Sequence, residues 1–145
     1  MQRSTKKSLA VKLLTLIPAV VYTGVITYLS LVNLSDTAVS SWGLSDKVLH
    51  AGAYFGMALV WLLFYVLNYQ PKTFLRKILV VCLLVAFFGI VIEVLQDELT
   101  TYRELDVLDM LANTSGVILA GVLVKLNLGS LMRLKSAVDL FFKEK

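Results

Sequence analysis

The sequence predicts an all-α integral membrane protein, a bundle of four transmembrane helices followed by a C-terminal amphipathic helix. Of the 145 residues, 58% are hydrophobic and 17% are charged, and the mean hydropathy of +0.79 is too high for a soluble domain of this length. Four apolar runs are long enough, at roughly 20 residues each, to cross a bilayer core. The gaps between them are short, so we expect a single membrane domain over residues 1–145.

The first apolar run, residues 13–34, is predicted to be a retained transmembrane helix. Its 22 residues exceed the core of about 7 to 15 residues that is usual in a cleaved signal peptide, and no small-residue cleavage site of the A-x-A type follows it. Basic residues precede the run, as they do in a signal anchor.

Three further runs predict transmembrane helices at residues 48–68, 78–96 and 107–125. Cys82 lies within the third run, where a single thiol behaves as a small apolar residue. Nearer the C-terminus, apolar residues recur at helical spacing opposite basic ones. This pattern predicts an amphipathic cytoplasmic helix over residues 130–143, and the alternative is a solvated tail.

The charged residues set the orientation of the helices in the membrane. Twelve of the fourteen lysines and arginines lie in the N-terminal segment, the loop over residues 69–77 and the C-terminal segment, whereas eight of the ten acids lie in or beside the other two loops. The positive-inside rule therefore places both termini in the cytoplasm and these eight acids on the outer side of the cell membrane. The net charge of +4 fits an anionic inner leaflet, so we expect no nucleic-acid partner.

The predicted second helix begins with Asp46, Lys47 and His50, and Tyr54 follows one turn deeper. Asp46 and His50 are four residues apart and share a helix face, so the carboxylate is expected to orient the imidazole. The other ring nitrogen can then act as a base, donor or ligand near neutral pH. The alternative is structural: Asp46 stabilises the helix N-terminus and His50 bonds to a neighbouring helix.

The predicted third helix ends with two polar residues, Glu93 and Gln96, after an unbroken apolar stretch. A carboxylate at the edge of the hydrocarbon is costly unless it is paired or faces the bundle interior, so Glu93 is expected to have a partner. The candidate partners are Arg103, Lys47 and His50.

The predicted fourth helix carries a polar stripe. At about 100° per residue, Asp106, Asp109 and Asn113 fall on one arc, which continues through the small residues Gly116 and Ala120. Asn113 lies about 10 Å from Asp106 along the axis, at 1.5 Å per residue. This face is expected to point into the bundle.

Small residues accompany the polar ones on two helices. Gly52 and Gly56 form a GxxxG pair on the second helix, and Gly116 continues the stripe on the fourth. Such residues let helix backbones approach closely, which favours contact between these two helices where His50 and Asp109 can converge. The same glycine faces are candidates for a homo-oligomer contact.

Together these motifs resemble the VanZ-like family of small membrane proteins. The pattern S-D-K-x-x-H-x-x-x-Y-F covers residues 45–55, E-x-x-Q covers 93–96, and R-x-x-D-x-x-D-x-x-x-N-x-x-G covers 103–116. The resemblance extends over residues 36–126. It implies a polytopic helical fold and, from the founding members, a link to teicoplanin resistance at the cell surface. The predicted binding residues are Asp46, Lys47, His50, Tyr54, Glu93, Gln96, Arg103, Asp106, Asp109 and Asn113.

The leading functional hypothesis is that these residues bind a lipid headgroup or a cell-envelope precursor in the outer leaflet, where Lys47 and Arg103 would meet phosphate or carboxylate. The resemblance implies an effect on glycopeptide susceptibility. The first alternative, which the sequence leaves open, is an intramembrane enzyme acting on a lipid-linked substrate. The candidate acid and base residues of such an enzyme are His50, Glu93 and Asp109. A small transporter or structural subunit is the second. With a single histidine, no metal or other cofactor is predicted.

Overall fold

The computed structural model describes residues 2–32, 45–69, 74–101 and 104–144, and every regular element in these ranges is an α-helix. Leu9–Leu31 within α1, and the whole of α2, α3 and α4, are long and apolar enough to cross a membrane. The predicted fold class, four membrane helices followed by a C-terminal helix, is confirmed. The helices are α1 (Gln2–Leu31), α2 (Asp46–Asn68), α3 (Phe74–Leu99), α4 (Val107–Leu126) and α5 (Leu128–Glu144).

Most helices extend beyond the apolar runs that predicted them. Helix α3 begins at Phe74 rather than at residue 78, and α5 begins at Leu128 rather than at residue 130. Hydropathy falls at the polar residues near a membrane surface, but the backbone there still forms helical hydrogen bonds. Helix α4 ends at Leu126, within one residue of its predicted end.

The first two membrane helices differ from prediction at their ends. Helix α1 ends at Leu31, and residues 33 and 34 of its predicted run lie outside the described ranges. Helix α2 begins two residues before the apolar run because Ser45 caps it. The Ser45 hydroxyl accepts a hydrogen bond from the Val48 amide at 3.4 Å, which satisfies one of the donors left over at a helix N-terminus.

The four membrane helices alternate in direction, so α2 and α4 are parallel and begin at the same end of the bundle. Asp46 opens α2, Asp106 caps α4 and Asp109 lies in its first turn; we call this the acidic end. Helices α2 and α4 share the most extensive contact in the molecule. The buried apolar core is formed by Tyr54, Met57, Ala58, Leu62, Val66, Phe74, Ile78, Val85, Val117, Ala120 and Val124.

At Gly116, the backbone of α4 packs directly against the backbone of α2. A side-chain carbon added there would overlap the carbonyl oxygen of Ala51 and would lie 2.9 Å from the amide nitrogen of Phe55. Because these are backbone atoms of α2, neither can move without moving the helix. The missing side chain of Gly116 therefore sets the separation of the two helices.

The two glycines of α2 have different surroundings. Gly56 faces α1, and the phenol of Tyr22 fills the space where a side chain would be. No described atom lies within 4 Å of a side-chain carbon built on Gly52. Gly56 and Gly116, two of the three glycines suggested for a homo-oligomer contact, are thus covered by other helices of the same chain.

Helix α1 is attached to α2 by hydrogen bonds at three depths. The Tyr22 hydroxyl donates to the carbonyl of Ala53 at 3.2 Å, and the indole of Trp61 donates to the Thr23 hydroxyl at 3.0 Å. Near the other end, the amide of Asn68 donates to the hydroxyl of Thr15 at 2.7 Å. Most apolar side chains of α1 remain exposed, as expected for a helix whose outer surface faces lipid.

Helix α5 packs at the end of the bundle opposite the acidic end. Leu131 and Met132 contact the core, while Leu134 and Phe141 are exposed. The ammonium of Lys135 donates to the Tyr69 carbonyl at the end of α2 at 2.8 Å. This arrangement of apolar and basic residues fits a helix that lies along a membrane surface.

The role of Gly116 predicts that Gly116→Ala lowers the stability of the protein, by about 1–3 kcal/mol as for other overpacked contacts. Gly52→Ala is the matched control, since its added methyl group meets open space. Thermal unfolding of both variants in the same detergent measures the difference. A Gly116→Ala variant as stable as Gly52→Ala would contradict the close approach of α2 and α4.

Candidate ligand site at the acidic end of the bundle

The imidazole of His50 lies at the centre of the acidic end and contacts three helices. Its Nδ1 atom is 3.2 Å from Oδ1 of Asn113 and 3.3 Å from Oε1 of Glu93. The Asn113 amide nitrogen donates to the same Glu93 oxygen at 3.3 Å, which fixes the amide orientation. Because both neighbours of Nδ1 are acceptors, we assign the proton to Nδ1, and the lone pair of the neutral ring is then on Nε2.

The Nε2 atom of His50 faces two aspartates. It lies 3.8 Å from Oδ2 of Asp46 and 3.8 Å from Oδ2 of Asp109, both longer than a hydrogen bond. Asp46 is therefore at ion-pair distance from the ring, on the helix face that the spacing predicted, while Glu93 and Asn113 contact the other ring nitrogen. The contacts at Nδ1 come from α3 and α4, which the spacing within α2 could not predict.

Lys47 joins the first turns of α2 and α4. Its ammonium contacts Oδ2 of Asp106 and lies 2.5 Å from Oδ1 of Asp109. Asp106 also caps α4, accepting from the Leu108 amide at 2.7 Å. These bonds, that of Lys47 first, lower the pKa of Asp106 below its usual value. A lowered pKa in the folded state means that the stabilisation is present at neutral pH and is lost as the pH falls through that pKa.

Polar groups become more buried from the helix ends inward. The side chains of Asp46, Lys47 and Asp106 are 48%, 37% and 41% exposed. One turn deeper, the side chain of Asp109 is 4% exposed, and Asn113, a further turn down, is buried. A ligand could therefore contact the outer residues from the membrane surface, and the inner ones are shielded from water.

Gln96 and Tyr54 border this group of residues. The Gln96 amide donates to the Ser30 carbonyl at 2.8 Å and so links α3 to the last turn of α1. The Tyr54 ring lies against Gly89, where an added side-chain carbon would be 2.9 Å from the ring and 3.4 Å from the Cβ of Asn113. Among the described residues, the buried Tyr54 hydroxyl and the side-chain amide oxygen of Gln96 have no hydrogen-bond partner.

The structure therefore brings most of the predicted binding residues together. Tyr54 and Gln96 lie beside the group rather than in it, and Arg103 lies outside the described ranges. Of the three partners suggested for Glu93, His50 is the one that the described residues place beside it. We refer to the seven residues that converge as the polar cluster: Asp46, Lys47, His50, Glu93, Asp106, Asp109 and Asn113.

Sequence reasoning missed two contributors at this end of the bundle. The carbonyl of Ser30 accepts from Gln96, and no side-chain pattern identifies a backbone acceptor on another helix. Gly89 makes room for Tyr54, and its position four residues before Glu93, on the same face of α3, was an available signal.

No protein-family model, curated protein or solved structure matches the chain. From its fold and site alone, the chain is a helical protein with four candidate membrane spans and a buried polar cluster at one end of the bundle. Functional conclusions therefore depend on the geometry of that cluster.

The contacts of Lys47 predict that Lys47→Met destabilises the protein by about 1–3 kcal/mol, because the buried carboxylate of Asp109 loses its cation. The double variant Lys47→Met/Asp109→Asn should recover part of this loss, since the uncompensated charge is removed as well. Denaturation in detergent gives the values, with Arg133→Met on the exposed surface of α5 as the control. No recovery in the double variant would mean that the two residues do not act as a pair.

Proposed function

We propose that the protein is a VanZ-like protein of the cell membrane, with both termini in the cytoplasm, whose polar cluster binds the headgroup of a lipid or a cell-envelope component at the outer face. By the resemblance of its motifs, this binding would affect susceptibility to glycopeptides such as teicoplanin. The orientation follows from the lysines and arginines, which are concentrated in the segments away from the acidic end.

The observation that carries this proposal is the burial of ionisable and amide side chains within the membrane-spanning part of the bundle. Glu93, Asp109 and Asn113 are at most 3% exposed and lie beside His50. Such groups are costly in a membrane and tend to mark functional sites. A purely structural role would not need so many of them, because apolar residues of similar size would pack the same space at lower cost.

The charge of the cluster favours a headgroup that carries an amine. Its described residues include four carboxylates but only one fixed cation, Lys47, which is already shared between Asp106 and Asp109. Lys47 is therefore poorly placed to bind a phosphate as well, contrary to the role first suggested for it. A primary ammonium group would find carboxylate acceptors at Asp46 and Asp109.

Lipid-dependent stability tests this proposal. The purified protein is placed in nanodiscs of phosphatidylethanolamine or phosphatidylglycerol with identical acyl chains, and its unfolding temperature is measured. We expect a higher unfolding temperature in phosphatidylethanolamine, because its ammonium group meets the carboxylates of the cluster. Asp109→Asn should reduce this difference, and Asp46→Asn gives a second, more exposed test position.

Glu98→Gln is the matched control. It also removes one negative charge at the acidic end, but from an exposed position on α3. It should keep the full difference between the two lipids. Equal stability in both lipids, or equal losses in Glu98→Gln and Asp109→Asn, would contradict binding of an amine headgroup by the cluster.

One contact supports a second candidate function, an intramembrane enzyme acting on a lipid-linked substrate. A buried carboxylate, Glu93, lies 3.3 Å from Nδ1 of His50, which is the arrangement that orients a histidine to act as a general base through Nε2. Asp109, 3.8 Å from Nε2, would be the second acid or base group.

This candidate predicts turnover of a cell-envelope lipid. Purified protein is incubated with a total envelope lipid extract, and mass spectrometry follows the loss of substrates and the gain of products. His50→Gln should lower the rate by about 10²-fold or more, the usual contribution of a general base, while Glu98→Gln should keep it. Absence of turnover in the unmodified protein, or equal rates in His50→Gln, would exclude this mechanism.

A further inference from the structure

We propose that Asp46, His50 and Asp109 bind a divalent transition-metal ion at the acidic end of the bundle. The ligand atoms are Oδ2 of each aspartate and Nε2 of the histidine. This site does not depend on headgroup binding, since the protein supplies all three ligands. The sequence alone argued against a metal because it contains one histidine, but it could not show that two carboxylates from different helices lie at the same ring nitrogen.

The distances suit a metal site with little rearrangement. One ligand atom from each of the three residues can be chosen so that all lie within 4.8 Å of one another, and both aspartate oxygens are 3.8 Å from Nε2. Ligands bound at about 2.1 Å in a tetrahedral arrangement are about 3.4 Å apart. A rotation of the exposed Asp46 side chain can supply most of the remaining adjustment.

The second support comes from two residues outside the three ligands. Metal-bound histidines commonly donate their other ring N–H to a carboxylate or a carbonyl, which fixes the tautomer and the direction of the lone pair. Glu93 and Asn113 occupy this position at Nδ1, and both are at most 2% exposed. The ring is thus held with Nε2 directed towards Asp46 and Asp109.

A divalent ion would also lower the negative charge of the polar cluster, whose described residues include the four carboxylates of Asp46, Glu93, Asp106 and Asp109.

The ligand set selects the class of metal. One imidazole with two carboxylates suits Zn²⁺ or Mn²⁺ better than Cu⁺, which prefers sulfur, or Ca²⁺, which takes six to eight oxygen ligands. Three protein ligands leave a coordination position for water or for an oxygen of a bound molecule. Asp109 can serve the ion through Oδ2 while Lys47 keeps its contact with Oδ1.

Metal titration of the full chain tests the site. The protein is purified without a polyhistidine tag, treated with a chelator and transferred to a detergent free of phospholipid, and Zn²⁺ and Mn²⁺ binding is measured by calorimetry. We expect one ion per chain. Pulsed electron paramagnetic resonance of the Mn²⁺ form should show coupling to an imidazole nitrogen, a readout that needs no variant.

The variants separate ligands from the residue that holds the ring. Asp109→Asn and His50→Ala should lose binding, and Glu93→Gln should weaken it about 10- to 100-fold, as is usual for a residue that orients a ligand. Glu98→Gln should bind as tightly as the unmodified chain. No saturable binding, no nitrogen coupling, or unchanged affinity in Asp109→Asn would overturn the site. Because no lipid is present, none of these results depends on headgroup binding.

Discussion

The close approach of α2 and α4 at Gly116 is the constraint on which the acidic end depends. The backbone of Ala51 occupies the space in which any other residue at position 116 would place a side chain. Ala51 follows His50 directly, and Asn113 precedes Gly116 by less than one turn, so the same contact that packs the helices brings the imidazole to the amide. A larger residue at position 116 would push the two helices apart and so separate the His50 imidazole from the Asn113 amide, although neither of these residues is changed.

Parallel packing of α2 and α4 also lowers the free-energy cost of placing several carboxylates at the acidic end. Both helices begin there, and the partial positive charge of a helix N-terminus stabilises carboxylates in its first turn. Asp106 uses this directly by capping α4, and Lys47 neutralises part of what remains. The buried Glu93 lies in the C-terminal half of α3, away from any stabilisation by the N-terminus of its own helix, so it depends on His50 and Asn113 instead.

Hydropathy was enough to predict the four membrane helices, because each needs about 20 apolar residues whatever its neighbours are. Helical periodicity also put His50 and Asp109 on inward faces. It could not tell which helix opposes which face. Asp46, four residues from His50, lies at ion-pair distance from the ring, but the shorter contacts come from Glu93 and Asn113, 43 and 63 positions further along the chain. Long-range pairing of this kind is decided by packing, which a single sequence does not record.

The two ring nitrogens of His50 have different surroundings, and this difference limits the direction from which a ligand can reach the ring. The nitrogen on the buried side is bonded to Glu93 and Asn113, whereas the other nitrogen faces Asp46, whose side chain is about half exposed. Anything that the imidazole binds through Nε2 therefore approaches from the membrane surface. An amine headgroup, a metal ion and a substrate for base catalysis would all contact the same atoms. A headgroup or a substrate can therefore bind together with the ion only at a coordination position that the protein ligands leave open. Binding of metal and of headgroup should then be linked, each altering the affinity for the other by the same factor.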